Sequence, residues 1–218
     1  MIDLYFSPTP NSWKVSIMLE ELGLPYLVHF VDIQTGEQKQ PWFLDINPNG
    51  RVPAIVDRDD PGHPVPVFES GAILVYLAEK TGRFLAPSGV RRTQALQWLF
   101  WQMAGLGPMA GQAHVFRRME QKIPFAIERY TTESARLYGV LDRRLGQEAW
   151  LAGDYGIADM SCWGWVAFHA WHGQDLADFP NVSRWFGEMR GRPAVKRATA
   201  VALDRISPVM RTILEELT

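Results

Sequence analysis

The segment Thr9-Pro10-Asn11-Ser12 brings two hydroxyl groups and an amide to the start of a predicted helix. Residues 2–6 before it start with apolar and polar alternation and end on aromatics, which predicts a strand. A strand, a proline-containing loop and a helix start form the place where many redox proteins carry two cysteines. Here both cysteines are missing, and the one cysteine of the chain is Cys162. If the segment handles sulfur, the thiol must arrive with a ligand.

Asn11 and Thr9 are the residues of this segment that suit a borrowed thiol. A thiol with a pKa of about 8.5 is mostly protonated at neutral pH. Amide and hydroxyl donors at a helix N-terminus favour the thiolate, and neither side chain can itself exchange with a disulfide. The alternative is that Asn11 only caps the helix. Cys162 lies in an apolar helical segment, which predicts inert core.

Composition excludes several classes of protein. The chain has 218 residues, a net charge of -2 and 47% hydrophobic residues, which suits one large or two modest domains. The near-neutral charge argues against a nucleic-acid partner. No apolar run reaches the roughly 18 residues of a membrane span, and no signal-peptide pattern is present. With one cysteine, this predicts a cytoplasmic protein, and five scattered histidines predict no metal site.

The elements around these residues fall into two predicted domains. Residues 1–80 predict a small α/β domain of order β-α-β-α-β-β-α, with strands at 2–6, 26–31, 52–57 and 65–68. Residues 81–90 predict a linker, and residues 91–218 an all-helical domain with helices at 91–104, 124–145, 158–170, 181–190 and 194–202. The cluster Gly105-Leu106-Gly107-Pro108 predicts a kink or break in the first of these helices.

Several motifs now combine into a resemblance that covers essentially the whole chain. Val52-Pro53, Glu69-Ser70 at a helix start, and Gly153-Asp154-Tyr155-Gly156-Ile157-Ala158-Asp159 together resemble the cytosolic glutathione transferases. Four segments are similar to the bacterial Nu class of that superfamily, whose members are glutathione-dependent disulfide-bond reductases. They are Thr9-Pro10-Asn11, Phe68-Glu69-Ser70-Gly71-Ala72-Ile73, Gln97-Trp98-Leu99-Phe100-Trp101-Gln102 and Ile127-Glu128-Arg129-Tyr130.

The resemblance implies a fold and an assembly. The expected fold is α/β plus all-α: a thioredoxin-like N-terminal domain followed by a helical-bundle C-terminal domain. The expected assembly is a homodimer with two clefts between domains. Tyr5 lies near the place where tyrosine-type transferases keep their thiolate donor, but its position inside a strand favours a structural role.

Val52 and Pro53 are expected to bind the middle of glutathione. An X-Pro bond has a small trans preference, so a cis bond here is accessible and would turn the backbone of Val52 outward. Its N–H and C=O would then pair with an extended peptide as an added strand. In the family that peptide is the cysteinyl residue of glutathione. The alternative is that Pro53 merely begins a strand.

Glu69, Ser70 and Gln38 are expected to bind the two ends of glutathione. Ser70 suits a helix N-cap, and the backbone amides there suit a carboxylate. Glu69 offers a negative partner for an ammonium group, so the pair matches the γ-glutamyl end. By resemblance, Gln38 contacts the glycyl end; otherwise it is an exposed loop amide. Arg51 lies beside the same groove, and its role stays open.

Arg129 is the expected contact in the helical domain. By resemblance it reaches the carboxylate of a second glutathione moiety or of the other half of a disulfide. The alternative is a solvated charge that pairs with Glu128 or Glu133. Trp98, Trp101, His114 and Phe116 suit either an aromatic wall for the second substrate or helical core.

One position departs from the family pattern. The family usually has Ser or Thr three residues before Asp159, as a capping box, and this chain has Gly156. Asp159 keeps its half of the box and can still accept from the N-cap amide. Because Gly costs only a few tenths of a kcal/mol at an N-cap, the helix is expected to start normally.

The leading functional hypothesis is an enzyme that reduces small-molecule disulfides with the thiolate of glutathione itself and no protein cysteine or metal. Two alternatives remain. One is a glutathione transferase that conjugates glutathione to an electrophilic carbon, which shares the same glutathione site. The other is a non-catalytic regulatory protein that only binds glutathione.

Overall fold

The computed structural model of the protein describes residues 1–217. Two compact units are present: residues 1–83 with the chain from residue 192 onward, and residues 84–191. The sequence pattern placed residues 91–218 in one helical domain. Periodicity identifies a helix but not the element against which it packs, so the assignment of the last helices could not come from the pattern.

The first unit contains a four-stranded sheet of order β2-β1-β3-β4. The strands are β1 (Ile2–Phe6), β2 (Tyr26–Phe30), β3 (Ala54–Asp57) and β4 (Val65–Phe68). β1 pairs in parallel with β2 and antiparallel with β3, which pairs antiparallel with β4. The helices are α1 (Pro10–Leu22), α2 (Pro41–Leu44) and α3 (Ser70–Thr81). This confirms the predicted βαβαββα order and the thioredoxin-like fold.

Continuous apolar segments build this core. All five residues of β1 are buried, and so is every residue of α1 from Ser12 to Leu19. α1 ends at Gly23, whose φ of 67° is the left-handed conformation that glycine adopts at no steric cost. The buried strand β1 and the buried part of α1 therefore fix the position of the start of α1.

The last part of the chain packs on α1. Helix α9 (Pro193–Thr199) is preceded by Arg192, which makes a two-bonded ion pair with Glu21 at 2.5 and 3.1 Å. Arg197 pairs with Glu20 at 2.6 Å, and Ser16 Oγ donates to the carbonyl of Ala198 at 3.2 Å. Helix α10 (Pro208–Leu217) follows. These contacts explain why residues from 192 onward belong to the first unit.

The second unit is all-helical. Its helices are α4 (Gly89–Trp101), α5 (Gly107–Arg118), α6 (Pro124–Leu145), α7 (Ile157–Val166) and α8 (Pro180–Gly191). The bounds of α6 are those predicted. Among the described residues, no helix is both long and apolar enough to cross a membrane.

At the predicted kink or break near Gly105, the α-helix is interrupted by a π-helical turn between α4 and α5, with no loop between them. Residues Gln102–Leu106 form this turn, in which the N–H of Gly107 donates to the carbonyl of Gln102. Pro108 has no N–H to donate, and a wider turn absorbs that missing bond without ending the helix. The pattern also missed α5 for this reason.

Asp159 ties the start of α7 to its surroundings. Its fully buried carboxylate accepts from the N–H of Leu151 at 3.1 Å, the N–H of Gly156 at 3.2 Å and Nε1 of Trp185 at 2.9 Å. The expectation that Asp159 keeps its half of the capping box is confirmed. Sterics explain why glycine occupies position 156, because a Cβ there would lie 2.5 Å from the carbonyl oxygen of Phe84.

Replacing Gly156 with serine, the usual residue of the family, is therefore expected to destabilise the protein. A serine cap improves on glycine by only a few tenths of a kcal/mol. The backbone clash should lower the free energy of unfolding by about 1–3 kcal/mol, measured by urea denaturation. Gly187→Ala is the control, because nothing lies within 4 Å of a Cβ there. That control should be neutral or stabilising by up to about 1 kcal/mol. A Gly156→Ser protein as stable as wild type would contradict this account.

Candidate functional site

The strand registers bring the predicted site residues of the first unit to one end of the sheet. Tyr5 is paired with Ala54, and Ala54 with Phe68. The loop after β1, the residues before β3 and the residues after β4 therefore lie side by side. The end of β2 is at the same edge, since the N–H of Val31 donates to the carbonyl of Phe6 at 2.8 Å.

Thr9, rather than Asn11, is the N-cap of α1. Thr9 has extended φ and ψ of -132° and 157°, and its Oγ1 accepts from the N–H of Ser12 at 3.3 Å. The same hydroxyl donates to Oγ of Ser12 at 3.0 Å. The alternative that Asn11 only caps the helix is thus wrong. Asn11 lies in the first turn and is partly exposed, with its amide at the positive end of the helix dipole.

The peptide bond between Val52 and Pro53 is cis, as the sequence had allowed. Within the described part of the chain, neither the N–H nor the C=O of Val52 has a hydrogen-bond partner. β3 begins at Ala54, directly after Pro53. The half-buried Val52 carries two unused backbone groups beside the sheet end.

Asn47 holds the loop that leads to Val52, and sequence reasoning did not single it out. Its side chain is buried at 2% exposure, accepts from the N–H of Asn49 at 2.9 Å and donates to the carbonyl of Arg51 at 2.6 Å. The turn signal Asn47-Pro48-Asn49-Gly50 was visible in the sequence. Its meaning depended on the fold, because asparagine side chains stabilise many ordinary turns. Arg51 itself is exposed.

Glu69, and not Ser70, is the N-cap of α3, which corrects the sequence-based assignment. Glu69 has φ of 67° and ψ of 116°, a conformation that residues with a Cβ rarely adopt. Such backbone strain concentrates at functional sites. The exposed Glu69 carboxylate accepts from Nδ2 of Asn49 at 3.1 Å, a second positioning contact that the sequence did not reveal.

Ser70 is the first residue of α3 and is buried at 4% exposure. Its Oγ accepts from Nζ of Lys14 at 3.4 Å. Lys14 is only 1% exposed, although it is a charged residue on α1. In the sequence, Lys14 is the one charged residue of the segment Ser12–Leu19, which is otherwise apolar or hydroxyl-bearing.

Gln38 lies in a short 3-10 helix (Glu37–Lys39) after β2. Its Nε2 donates weakly to the carbonyl of Ile33 at 3.4 Å, and its buried Oε1 has no partner among the residues that the structure describes. Gly50 packs closely on it, because a Cβ at Gly50 would lie 2.9 Å from the carbonyl oxygen of Gln38. Gln38 is half-buried, so it is not an exposed loop amide.

Tyr5 belongs to the hydrophobic core. It packs with Val31, Phe43 and Ala54, and its ring stacks on His29 at 4.8 Å between centroids. Burial raises the pKa of the Tyr5 hydroxyl. The structural interpretation of Tyr5 is thereby supported over a role as thiolate donor.

Arg129 lies on α6 in the second unit and is exposed. Among the side chains that the structure describes, none makes a hydrogen bond or ion pair with Arg129, whereas Glu133 pairs with Arg136 at 2.7 Å. The alternative of a solvated charge on the helix face stays open, because Arg136 and, more weakly, Arg129 lower the pKa of the Glu133 carboxyl.

The aromatic residues considered on the sequence pack with other rings of the helical unit. Trp98 meets Trp101 edge-on at 5.2 Å, and Phe116 stacks on Tyr130 at 5.4 Å. His114 lies 4.6 Å from the ring of Trp171. Burial, together with Arg118, lowers the pKa of His114 to about 4, so this imidazole is neutral at pH 7. All four side chains are half-buried, so both interpretations stay open: an aromatic wall for a second substrate and packing between helices.

Cys162 is fully buried in α7. Its sulfur lies 3.8 Å from Oγ of Ser161, and no part of the side chain reaches solvent. The prediction that Cys162 is core is confirmed, and the chain has no other cysteine. Any thiol chemistry at the start of α1 therefore requires a thiol from outside the protein.

Fold and site together define a thioredoxin-like protein with a second helical unit, in which hydroxyl and amide groups replace the redox cysteines. A family model described as "Glutathione S-transferase, N-terminal domain" matches residues 9–80. A relative from Escherichia coli (strain K12), "Disulfide-bond oxidoreductase YfcG", is 53% identical over 204 residues, covering 91% of this chain and 94% of that protein. The chain belongs to the glutathione S-transferase family.

Two solved structures are similar over nearly the whole chain. A glutathione transferase from Pseudomonas putida, with one glutathione disulfide bound per subunit, has a TM-score of 0.87 and 43% identity, covering 92% of this chain and 91% of that one. A glutathione transferase from Burkholderia graminis, with two glutathione molecules bound per subunit, has a TM-score of 0.86 and 44% identity, covering 92% and 88%.

Proposed function

We propose that this protein is a glutathione-dependent disulfide-bond reductase. One observation carries the proposal: the thioredoxin-like helix start holds Thr9 and Asn11, while the single cysteine is fully buried in α7. The reacting thiol must then belong to a ligand. The name of the Escherichia coli relative and the glutathione species in the two similar structures support glutathione as that ligand.

Backbone and side-chain groups of four residues suit the three residues of glutathione. The unpaired N–H and C=O of Val52 suit the cysteinyl residue as an added strand. Glu69 suits the ammonium of the γ-glutamyl residue, and Ser70 with the N-terminus of α3 suits its carboxylate. The buried, unpartnered Oε1 of Gln38 suits the peptide N–H of the glycyl residue.

Asn11 is the proposed donor to the thiolate of glutathione. Its amide can donate to sulfur while the start of α1 adds a favourable potential. Thr9 is the proposed second donor. Its hydroxyl now donates to Ser12 and would exchange that bond for one to the thiolate. Both residues lower the pKa of the thiol without reacting themselves.

The proposed reaction proceeds in two exchange steps. The bound glutathione thiolate attacks one sulfur of the substrate disulfide, forming a mixed disulfide and releasing the other sulfur as a thiolate that takes up a proton. A second glutathione thiolate then attacks the glutathione sulfur of the mixed disulfide. Glutathione disulfide forms, and the second substrate thiolate leaves and is protonated. Two glutathione molecules are oxidised for each substrate disulfide reduced, and the protein supplies positioning.

Arg129 is proposed to bind a carboxylate of the second glutathione or of the substrate half of the mixed disulfide. Its guanidinium is exposed, and arginine binds carboxylates with two parallel hydrogen bonds. The presence of two glutathione molecules per subunit in the Burkholderia graminis structure supports this second position.

We further propose a cytoplasmic homodimer. Large apolar side chains remain exposed on the second unit, with Val90 at 73%, Phe100 at 66% and Phe125 at 74% exposure. Where such side chains form one continuous patch they mark an interface, and a second copy of the chain is the commonest partner. A reducing compartment suits a chain that depends on reduced glutathione.

The direct test is the reduction of 2-hydroxyethyl disulfide by glutathione, followed through formation of glutathione disulfide. Turnover well above the uncatalysed exchange is expected. Chlorodinitrobenzene, an electrophile that glutathione can substitute, is the comparison substrate. The absence of disulfide turnover, or faster turnover of the electrophile than of disulfides, would contradict the proposal.

Replacing Cys162 with alanine is expected to leave this activity within about twofold of wild type. The sulfur is buried in α7, so the change removes only packing, at a cost of about 1 kcal/mol in unfolding free energy. The assay is the same disulfide reduction, with urea denaturation to record stability. Loss of turnover by a folded Cys162→Ala protein would show that a protein thiol takes part.

A further inference from the structure

Lys14 is a buried cation that the proposed reaction does not yet use. It lies in the first half of α1 at 1% exposure, between Trp13 and Val15, which are both fully buried. Burying an ammonium group is costly unless it is paired or hydrogen-bonded. One of its contacts reaches across the fold to Oγ of Ser70, 56 positions away in sequence, at 3.4 Å.

This contact defines the role of Ser70 toward Lys14. An ammonium group can only donate, so Oγ of Ser70 accepts from it. The Ser70 hydroxyl also carries a proton of its own, so it can act as a donor as well as an acceptor. Ser70 is also the first residue of α3, where the backbone favours an anion. Hydroxyl, helix N-terminus and buried cation therefore all favour negative charge at one point.

Glu69, the neighbour of Ser70, favours the opposite charge. Its carboxylate is exposed and is held by Nδ2 of Asn49 at 3.1 Å. The Glu69 carboxylate and the Ser70 hydroxyl, which lies beside the Lys14 ammonium, are at consecutive positions. They match the ammonium and the carboxylate of one α-amino acid. The pairing of these charges distinguishes a free α-amino acid end from an ordinary peptide end.

We propose that Lys14 is a positioning residue for the γ-glutamyl end of glutathione: it orients the Ser70 hydroxyl and supplies the positive charge that favours the ligand carboxylate. The inference rests on the proposed function, because it takes glutathione as the ligand. Lys14 acts through Ser70 and does not touch the thiol. Its effect therefore falls on glutathione binding and not on the exchange chemistry.

Three variants test the charge of Lys14 and its hydrogen bond to Ser70. Lys14→Met removes the charge and the donor while keeping an unbranched apolar side chain. Lys14→Gln keeps a donor but removes the charge, and Ser70→Ala removes the acceptor. Lys196→Met, an exposed lysine on α9, is the matched control. Circular dichroism and urea denaturation identify which variants are folded.

Two thiols provide the readout that a purely structural role would not produce. Glutathione carries the γ-glutamyl residue, and cysteinylglycine lacks it. The Kd of glutathione is measured by calorimetry, and KM and kcat for each thiol are measured in disulfide reduction. Lys14→Met is expected to weaken glutathione binding and raise its KM by about tenfold, with kcat within about twofold. Lys14→Gln should fall between Lys14→Met and wild type.

The same variants should change the KM for cysteinylglycine by less than about twofold, as should Lys196→Met for either thiol. The double variant Lys14→Met with Ser70→Ala should have a KM for glutathione little higher than the single variant with the higher KM. Each single change already removes the same interaction between Lys14 and Ser70. Equal losses for both thiols, or losses that multiply fully in the double variant, would overturn the proposal.

The outcomes also separate this inference from the proposed function. If wild type reduces disulfides with glutathione and Lys14→Met binds it equally well, the role of Lys14 is wrong and the proposed function stands. If wild type binds glutathione without turnover, the reductase proposal fails, and the Kd of Lys14→Met still decides the role of Lys14. If wild type does not bind glutathione, both are wrong.

Discussion

Replacing Asn11 with alanine is expected to lower kcat for glutathione-dependent disulfide reduction at pH 7 by about ten- to a hundredfold. Asn11 lies in the first turn of α1, where its amide is the proposed donor to the glutathione thiolate. Without that donor, the pKa of the bound thiol rises and a smaller fraction is ionised at neutral pH. The helix remains capped, because the cap is Thr9.

The pH profile tells thiolate stabilisation apart from simple damage to the site. If Asn11 acts on the thiol pKa, the deficit of Asn11→Ala should shrink between pH 7 and pH 9, where the thiol ionises without help. Asn11→Asp is a second variant of nearly equal size. Its negative charge should disfavour the thiolate, so it should be less active than Asn11→Ala at pH 7. Full turnover by Asn11→Ala would rule out the proposed mechanism.

Replacing Asp159 with alanine is expected to be the most destabilising of the substitutions considered. Three buried donors, on Leu151, Gly156 and Trp185, would lose their acceptor. An unsatisfied buried donor costs about 1–3 kcal/mol, so the free energy of unfolding should fall by about 3–5 kcal/mol at pH 4.5. Asp154→Ala is the control: Asp154 is exposed in the same segment, and its loss should change stability by about 0.5 kcal/mol or less.

The effect of Asp159 should depend on pH in a defined direction. Burial raises the pKa of its carboxyl from the ordinary 3.8 to about 6, against the opposing effect of its hydrogen bonds. Between these two values the unfolded chain is ionised while the folded protein still holds the proton, so stability from this group is lost as pH rises. The advantage of wild type over Asp159→Ala should therefore shrink by about 2 kcal/mol between pH 4.5 and pH 7.

Urea denaturation of both proteins across that range measures the difference directly. Other titrating groups are common to the two proteins and largely cancel in the comparison. An advantage that stays constant, or that grows toward pH 7, would show that the hydrogen bonds from Leu151, Gly156 and Trp185 hold the carboxylate ionised and that burial does not dominate.

Sequence alone determined the order of elements in residues 1–80, the helix Pro124–Leu145, the family resemblance and the absence of cysteines from the start of α1. These features are local. Periodic burial, turn residues and motif spacing act over a few consecutive residues, so the pattern records them directly. The π-helical form of the turn before Pro108 was not predicted, because a proline usually kinks or ends a helix, whereas Pro108 lies in the first turn of α5, where its missing N–H is tolerated.

Only the tertiary structure decided which residues perform the local tasks at the site. Thr9 caps α1, and Glu69 caps α3 with a positive φ. Asn47 holds the loop that leads to Val52, and Asn49 donates to the Glu69 carboxylate. Each assignment depends on backbone angles or on partners brought together by strand pairing. Residue type allowed several choices at each place.

The same limit applies to contacts between distant parts of the chain. Lys14 meets Ser70 across 56 positions, Ser16 meets Ala198 across 182, and a Cβ at Gly156 would meet the carbonyl of Phe84. A helical pattern states which face is apolar but not which neighbour covers it. The sequence indicated that any thiol that acts at the start of α1 must come from a ligand. Packing decided that a buried lysine lies behind the serine proposed to hold that ligand, because burial and proximity arise only when separate elements come together.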